Sequence, residues 1–521
     1  MRWKSRASKG RRPLELGLTR ALVLNRARVK LILVLAAGAL MPLAYAPFSL
    51  FALAPVCLAV LLLTWAEATP RQAFTLGYVY GFASFLVGMY WLYISIHGFG
   101  NAHPLLAILL MLALIAILAL FPAATGWIAV RWFSSHGPKA WLAAVPALWV
   151  LTEWLRGWIF SGMGWLAVGY SQADSWLMGY ASIGGIYLMS WCVLLTAGAI
   201  ATIVIGARKA RLIAVAILVA VWLPASFLSS HRWTRPDSDI ITVALAQGAV
   251  SQDLKWQPSQ FVPTLQLYEG LTTAALGRRL IIWPEAAIPA VYDRVVDYFD
   301  RINALASEHG STVLSGVLRA NPETGAIQNS LVALGESHEF YVKRHLVPYG
   351  EYFPVPNFVR NWMRVLDLPH TDISPGPPDQ PPLTVAGQRL AVTICYEDLF
   401  GAEQLHYMPA ATMLVNVSND AWFGDSIAPH QHLDIARIRA AEVGRYMLRA
   451  TNTGISAIID PSGRVVAQSP QFEPHLLEGA VQGFTGSTPY ARWGNLAVVL
   501  IALLVLAVQR PTTKFTMRLG T

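Results

Sequence analysis

The sequence predicts a chain in two parts: an α-helical membrane domain of eight transmembrane helices, and a layered α/β domain set between the seventh and the eighth. Three observations predict it. Only 13% of the 521 residues are charged and 55% are hydrophobic, whereas soluble proteins average about 25% charged. Eight apolar stretches approach the roughly 20 residues that cross a bilayer as a helix. One long segment breaks this pattern with short β-rich runs that alternate with amphipathic helices.

The N-terminus comes first. Before residue 31 stand ten Lys/Arg against one acid, Glu15. A basic tail beside an apolar span holds an N-terminus in the cytoplasm. The net charge of +9 is concentrated there and no nucleic-acid-binding fold accompanies it, so no nucleic-acid partner is expected. Residues 1–30 read as a cytoplasmic extension. "AYA" at 44–46 resembles a signal-peptidase site, but Pro47 would follow the cut, and an uncleaved anchor is expected.

The spans follow near 31–48, 50–66, 73–96, 105–130, 139–155, 177–206, 212–229 and 492–509, so seven of them make a membrane domain over 31–230. With the N-terminus inside, the inner loops carry Arg71, Arg131, Lys139, Arg208, Lys209 and Arg211, and the tail 510–521 carries Arg510, Lys514 and Arg518. The outer loop 97–104 has no Lys or Arg, and the next has Arg156 alone. This is the positive-inside distribution. It places both termini in the cytoplasm and the segment 232–490 on the outer, periplasmic face. Nineteen tryptophans suit a membrane–water interface. Glu153 and Arg156, spaced i,i+3 at the end of the fifth span, read as an interfacial ion pair.

In 232–490, "DIITVALAQG", "RRLIIWPE", "STVLSGVL", "NSLVALG", "RLAVTIC", "ATMLVNVS" and "ISAIIDPSG" read as strands. "PSQFVPTLQLYEGLTTAALG" and "VVDYFDRINALASEHG" read as helices. Strands alternating with helices predict a layered α/β domain, and about 260 residues suit one catalytic unit. "SPGPPDQPP" (374–382) is a loop within it.

Three reactive side chains stand at the ends of apolar runs: Glu285 in "LIIWPE", Lys343 in "FYVKRHLVPYGEYFP" and Cys395 in "LAVTICYEDLF". A carboxylate, an ammonium and a thiol are a base, an oxyanion donor and a nucleophile for acyl transfer. Singly each has a plainer explanation: a helix cap, an exposed cation and a buried thiol. Cys57 and Cys192 lie in apolar spans, so no disulfide framework or metal-ligand spacing emerges.

In this order, with "WPE", "KRHLVPYGEYFP" and "ICYED" around them, the three residues resemble the nitrilase superfamily. With spans flanking the domain, and with "LKWQP" around Trp256, "EWLRGWIFSGMGW" (153–165) and "NVSNDAWFGDS" (416–426), the chain resembles the bacterial apolipoprotein N-acyltransferases. The resemblance implies an αββα sandwich and a ping-pong mechanism with Cys395 as nucleophile, Glu285 as general base and Lys343 as oxyanion stabiliser. It implies a phospholipid acyl donor, typically phosphatidylethanolamine attacked at its sn-1 ester, and diacylglyceryl apolipoproteins as acceptors. No metal or organic cofactor is implied, and a monomer in the inner membrane is expected. Glu351, Tyr396, Glu397 and Trp256 carry over as supporting residues: Glu351 to orient Lys343, assist the base or simply complete an ion pair, and Trp256 to pack against an acyl chain or sit at the interface. Phe358, Val359, Trp362, Met363 and Leu366 share one face of a segment at 357–366 that reads as a lid or a core helix. Two rival readings stand beside these: a membrane-tethered amidase that hydrolyses a C–N bond, and a transporter or scaffold with a degenerate outer domain.

Overall fold

The computed structural model describes residues 27–133, 140–335, 338–352 and 373–509. The basic tail before 27, Lys139, the segment 357–366 and the C-terminal tail all lie outside them.

Each of the eight apolar segments carries a helix. Four are long and apolar enough to cross a membrane: Ala27–Ala44, Pro104–Trp132, Trp176–Ile205 and Arg208–Leu228. Leu53–Trp65 and Leu496–Val508 are apolar but only 13 residues long, about 20 Å at 1.5 Å per residue. Pro70–Gly88 begins at a capping box made by Thr69 and Gln72. Large apolar side chains face outward along these helices, among them Leu105, Leu109, Leu212, Val219 and Leu504, as a lipid-facing surface requires. The expected Glu153–Arg156 ion pair is absent among the described residues. Glu153 instead accepts from Trp149 Nε1 at 3.0 Å and the Val168 amide at 2.8 Å. Arg156 donates to the carbonyls of Met163 and Trp165, both at 2.6 Å. The loop leaving the helix Val145–Arg156 turns back over its end and presents carbonyls that the guanidinium satisfies.

The α/β domain is built on two facing sheets. One has seven strands: β1 (Thr234–Gln247), β2 (Leu280–Ile282), β3 (Ile288–Val291), β4 (Thr312–Ala320), β5 (Ile327–Ala333), β6 (Glu339–Val342) and β13 (His475–Gly486). Their order is β13-β1-β2-β4-β5-β6, with β3 beside β4. The other has six, in the order β12-β11-β10-β9-β8-β7: β7 (Leu383–Val385), β8 (Gln388–Ile394), β9 (Met413–Ser418), β10 (Met447–Thr451), β11 (Ala457–Ile459) and β12 (Val465–Gln468). Val243, Leu245, Leu331 and Tyr341 from the first sheet share one core with Val392, Val415 and Leu448 from the second. The helices Pro258–Ala274 and Val296–Glu308 cover the first sheet through Tyr268, Trp283, Phe299 and Ile302. The helix Ala428–Val443 covers the second, which completes the αββα layering. That helix is buried on all sides, because its far face packs on the membrane helices. Gln431 Nε2 donates to the Gly88 carbonyl at 3.3 Å, and Arg437 reaches Asp174 at 2.7 Å.

All seven predicted strands and both predicted helices are present. Six further strands were not predicted, and four of them, β3, β6, β7 and β12, have three or four residues. Too short to show alternation, they are stabilised by pairing to neighbours rather than by their own pattern.

β4 approaches the turn after β2 very closely. A Cβ on Gly316 would lie 2.3 Å from the Pro284 carbonyl oxygen and 2.7 Å from Glu285 Cα. Gly316→Ala must push that turn outward, an overpacking that costs about 1–3 kcal/mol. Thermal unfolding in detergent should show a midpoint lowered by several degrees; an unchanged midpoint would refute the close approach.

Candidate active site

The three reactive residues come from three strand ends at one edge of the sandwich. Glu285 follows β2 in a turn where Trp283 is fully buried and Ala286 has φ 45°. Lys343 follows β6; its amide donates to the Asn329 carbonyl at 2.9 Å, and its own carbonyl accepts from Gly376 at 2.8 Å. The loop 374–382 thus braces the lysine's strand. Cys395 ends β8 at φ 53°, a left-handed backbone that side chains rarely adopt. That turn lifts the thiol out of the sheet, and its residue is partly exposed where its neighbours in β8 are buried.

Lys343 is the centre of charge. Its ammonium lies 2.8 Å from Glu351 Oε1 and 3.4 Å from Glu285 Oε1, and the residue is 1% exposed. Asn329 Nδ2 bridges the same two oxygens, at 2.7 Å from Glu285 and 3.1 Å from Glu351. The other oxygen of each carboxylate takes a backbone amide: Asn419 N–H to Glu285 Oε2 at 3.0 Å, and Val347 N–H to Glu351 Oε2 at 2.8 Å. Burial alone would push the ammonium's pKa down, but Glu351 and Glu285 outweigh it and hold the lysine protonated. Glu351 is therefore both the closer ion-pair partner of Lys343 and, through Asn329, a neighbour of Glu285.

Cys395 behaves differently. Burial pushes its thiol well above the usual value and the Glu285 carboxylate adds to that; the Lys343 ammonium pulls the other way and does not prevail. The resting group is a thiol, and the Glu285 carboxylate beside it already accepts from an ammonium, an amide and Asn329. Moving the thiol's proton to that carboxylate creates no new net charge in the site.

The other expected residues fall into place around this centre. Glu397 is 2% exposed and accepts from the amides of Ile394, Arg344 and His345 at 2.7, 2.7 and 3.1 Å. It ties the lysine's strand to the cysteine's turn. Tyr396 donates its hydroxyl to the Gly162 carbonyl at 2.7 Å. Trp256 is 49% exposed at the end of the short helix Gln252–Lys255. Its neighbour Lys255, which the sequence reading passed over, is buried with its ammonium 3.3 Å from the Glu285 carbonyl. Burial lowers that lysine to about 8 despite Glu285. Asn329 was missed entirely, since an asparagine inside a strand carries no signal of its own. Asn419 lay within the noted "NVSND" but without a role. Cys57 and Cys192 are buried free thiols, and among the described residues no cluster of His, Cys, Asp and Glu could hold a metal.

The loop 157–165 carries the membrane domain to this edge. Beyond the Gly162 bond, the Ser161 carbonyl lies 2.9 Å from His345 Nε2, and Ser161 Oγ lies 2.5 Å from the Tyr352 hydroxyl.

Residues 37–199 match the family described as "Apolipoprotein N-acyltransferase N-terminal domain", and 242–490 match "Carbon-nitrogen hydrolase". A protein of Methylococcus capsulatus named "Apolipoprotein N-acyltransferase" is 42% identical over 466 residues, covering 89% of this chain and 92% of its own. Proteins of the same name from Nitrosomonas europaea and Azotobacter vinelandii are 44% and 42% identical, covering 92% and 91% of this chain and 96% and 93% of theirs. The chain belongs to the apolipoprotein N-acyltransferase family. Its α/β domain has the carbon–nitrogen hydrolase fold, as the two facing sheets and their helical layers require. Within the family's fold, the Glu–Lys–Cys edge faces the membrane domain across the loop 157–165.

Because Glu285 holds the Cys395 thiol up, Glu285→Gln should ionise it more readily. Alkylation of Cys395 by iodoacetamide at pH 8 is expected to quicken about two- to tenfold. In the unsubstituted protein the rate should climb through pH 9 without a plateau. Slower alkylation of the variant, or a plateau below pH 8, would contradict the charge assignment.

Proposed function

We propose that this chain is a phospholipid:apolipoprotein N-acyltransferase that works by a Cys395 thioester. The observation that carries the reading is the meeting of a thiol, a carboxylate and a buried ammonium at the edge that adjoins the membrane domain, in a chain of this family. In the first half-reaction, Cys395 Sγ attacks the carbonyl carbon of the sn-1 ester of a phospholipid, phosphatidylethanolamine being the expected donor. Glu285 takes the thiol proton, and Lys343 stabilises the oxyanion that forms. The C–O bond then breaks; Glu285 returns the proton to the leaving alkoxide, and the lysophospholipid departs.

In the second half-reaction, the α-amine of a diacylglyceryl-modified N-terminal cysteine attacks the thioester. Such an amine has a pKa near 7.7–8.0, so about a tenth or more is neutral at pH 7. Glu285 takes a proton from the nitrogen, the C–S bond breaks, and the cysteine regains its thiol. The product is the N-acylated lipoprotein. Water competes for the thioester, and an apolar cleft beside the bilayer disfavours hydrolysis. Glu351 holds Lys343 in place, Glu397 aligns the two strands, and Tyr396 anchors the cysteine's turn to the loop 157–165. Trp256, exposed and apolar, is placed to meet an acyl chain.

Both substrates are lipids of one leaflet, which accounts for a catalytic domain tied to membrane helices. We further propose that all eight helical segments cross the inner membrane, with 31–230 as the membrane domain, 492–509 as the last span and 232–490 in the periplasm. The Lys/Arg asymmetry of the loops supports this orientation, and the enzyme acts as a monomer.

Incubation of the purified protein with acyl-labelled phosphatidylethanolamine should leave a hydroxylamine-sensitive label on the protein. Cys395→Ala should abolish it, and Glu285→Gln or Lys343→Met should slow it by about 100-fold or more. A diacylglyceryl peptide should then discharge the label to its own amine. An undiminished label on Cys395→Ala would sink the thioester route, and discharge only to water would favour the amidase.

A further inference from the structure

Two stretches noted in the sequence, 153–165 and 416–426, supply none of the three reactive groups, yet they meet at one side chain. His432 lies on the helix Ala428–Val443 and is 1% exposed. Its Nδ1 is 2.8 Å from Asp420 Oδ1 and its Nε2 is 3.0 Å from Asp398 Oδ1. Arg449, on β10, reaches the second oxygen of each carboxylate, at 3.2 Å for Asp398 and 2.8 Å for Asp420. The ring of Trp165 lies 5.5 Å from the imidazole, centroid to centroid, and its indole N–H donates to Gln431 Oε1 at 2.7 Å. Burial and Arg449 both press the imidazole toward neutrality, but the two carboxylates prevail and raise it to about 9. Two cations and two anions thus balance out of contact with water.

The two carboxylates stand at telling places. Asp398 is three residues beyond Cys395, in the same turn. Asp420 directly follows Asn419, whose amide donates to Glu285. Both turns hold a residue in left-handed backbone, Cys395 at φ 53° and Asp420 at φ 51°. Such a conformation is strained and persists only where surroundings enforce it. His432 is bonded to both turns at once.

We propose that His432 is a positioning residue for the acylation step. As a cation shared by Asp398 and Asp420, it locks the turn of the nucleophile to the loop that holds the base, while Trp165 seats the ring from the membrane side. The inference rests on the assignment of Cys395 as nucleophile and Glu285 as base. Loss of the shared cation leaves Asp398 to Arg449, and Asp420 to Arg449 and the Ser418 hydroxyl at 2.7 Å; Arg449 is then the one cation between the two turns, and they are freer to separate. A misplacement of about 1 Å between reacting groups costs on the order of 100-fold in rate.

The test is single-turnover acylation of the full chain, in detergent micelles containing fluorescent phosphatidylethanolamine, with the amplitude reporting the folded fraction and the rate constant the chemistry. His432→Gln is expected to acylate about 30-fold more slowly, with an amplitude above half that of the unsubstituted enzyme and a phospholipid KM within threefold. A rate constant within threefold of the unsubstituted enzyme, or a loss carried wholly by KM, overturns the inference. Should His432→Gln fail to fold, Trp165→Phe keeps a ring and drops the indole donor. A slowing of about three- to tenfold at retained amplitude supports the proposal, and an unchanged rate overturns it. If the unsubstituted enzyme forms no thioester on Cys395, the nucleophile assignment falls and this inference falls with it. A thioester on the unsubstituted enzyme with an unslowed His432→Gln removes the inference alone.

Discussion

One ammonium, buried and shared between two carboxylates, sets the terms for the whole catalytic edge. Taking Lys343 out of water costs several kcal/mol, and only close, well-directed partners return it. Glu351 at 2.8 Å and Glu285 at 3.4 Å do so, and Asn329 satisfies the same two oxygens. These contacts bring together the turn after β2, the end of β6, the middle of β5 and the segment 347–351. Removing one partner of such a pair strands a charge and costs about 3–5 kcal/mol. The cluster therefore specifies a geometry more than it adds stability. Cys395 stands beside the pair, protonated because burial and Glu285 oppose its charge, and the arrangement is complete only when that proton moves.

A second constraint is that the catalytic edge has to meet the membrane. The helix Ala428–Val443 is the shared wall, with one face on the second sheet and the other on the membrane helices. Glu442 Oε1 accepts the Ile186 amide at 3.0 Å and the Arg439 guanidinium at 2.8 Å. Arg437 holds Asp434 and Asp174, each at 2.7 Å. The loop 157–165 makes the other junction, through Gly162, Ser161 and Trp165. These polar anchors fix the edge that carries Cys395 relative to the apolar helices. Their burial makes each unpaired alternative costly, so the two halves have one way to dock.

Much of this was legible from residues alone because the signals were local. Apolar runs of strand and span length mark where elements form, and the flanking words of Glu285, Lys343 and Cys395 mark the reactive trio. What escaped was short or was polar within a strand. β10 carries Arg449 in its middle, and that buried charge hides a central strand from any search for apolar runs. Asn329 escaped for the same reason. The i,i+3 spacing of Glu153 and Arg156 pointed to an ion pair, but a turn further along the chain offered carbonyls that the guanidinium took instead.

The amino-acid sequence by itself determined the two-part organisation, the chemistry available and the order in which its three reactive groups occur, because hydropathy and reactive side chains are properties of residues. Only the tertiary structure decided which charges touch. It paired Lys343 more closely with Glu351 than with Glu285, bonded Tyr396 to Gly162, and set His432 between Asp398 and Asp420. Those outcomes depend on distances between residues from 8 to 234 positions apart, and a buried charge is governed by such distances. The state of Cys395 was decided there as well: a protonated, partly exposed thiol at a left-handed turn, with Glu285 and Lys343 already engaged with each other.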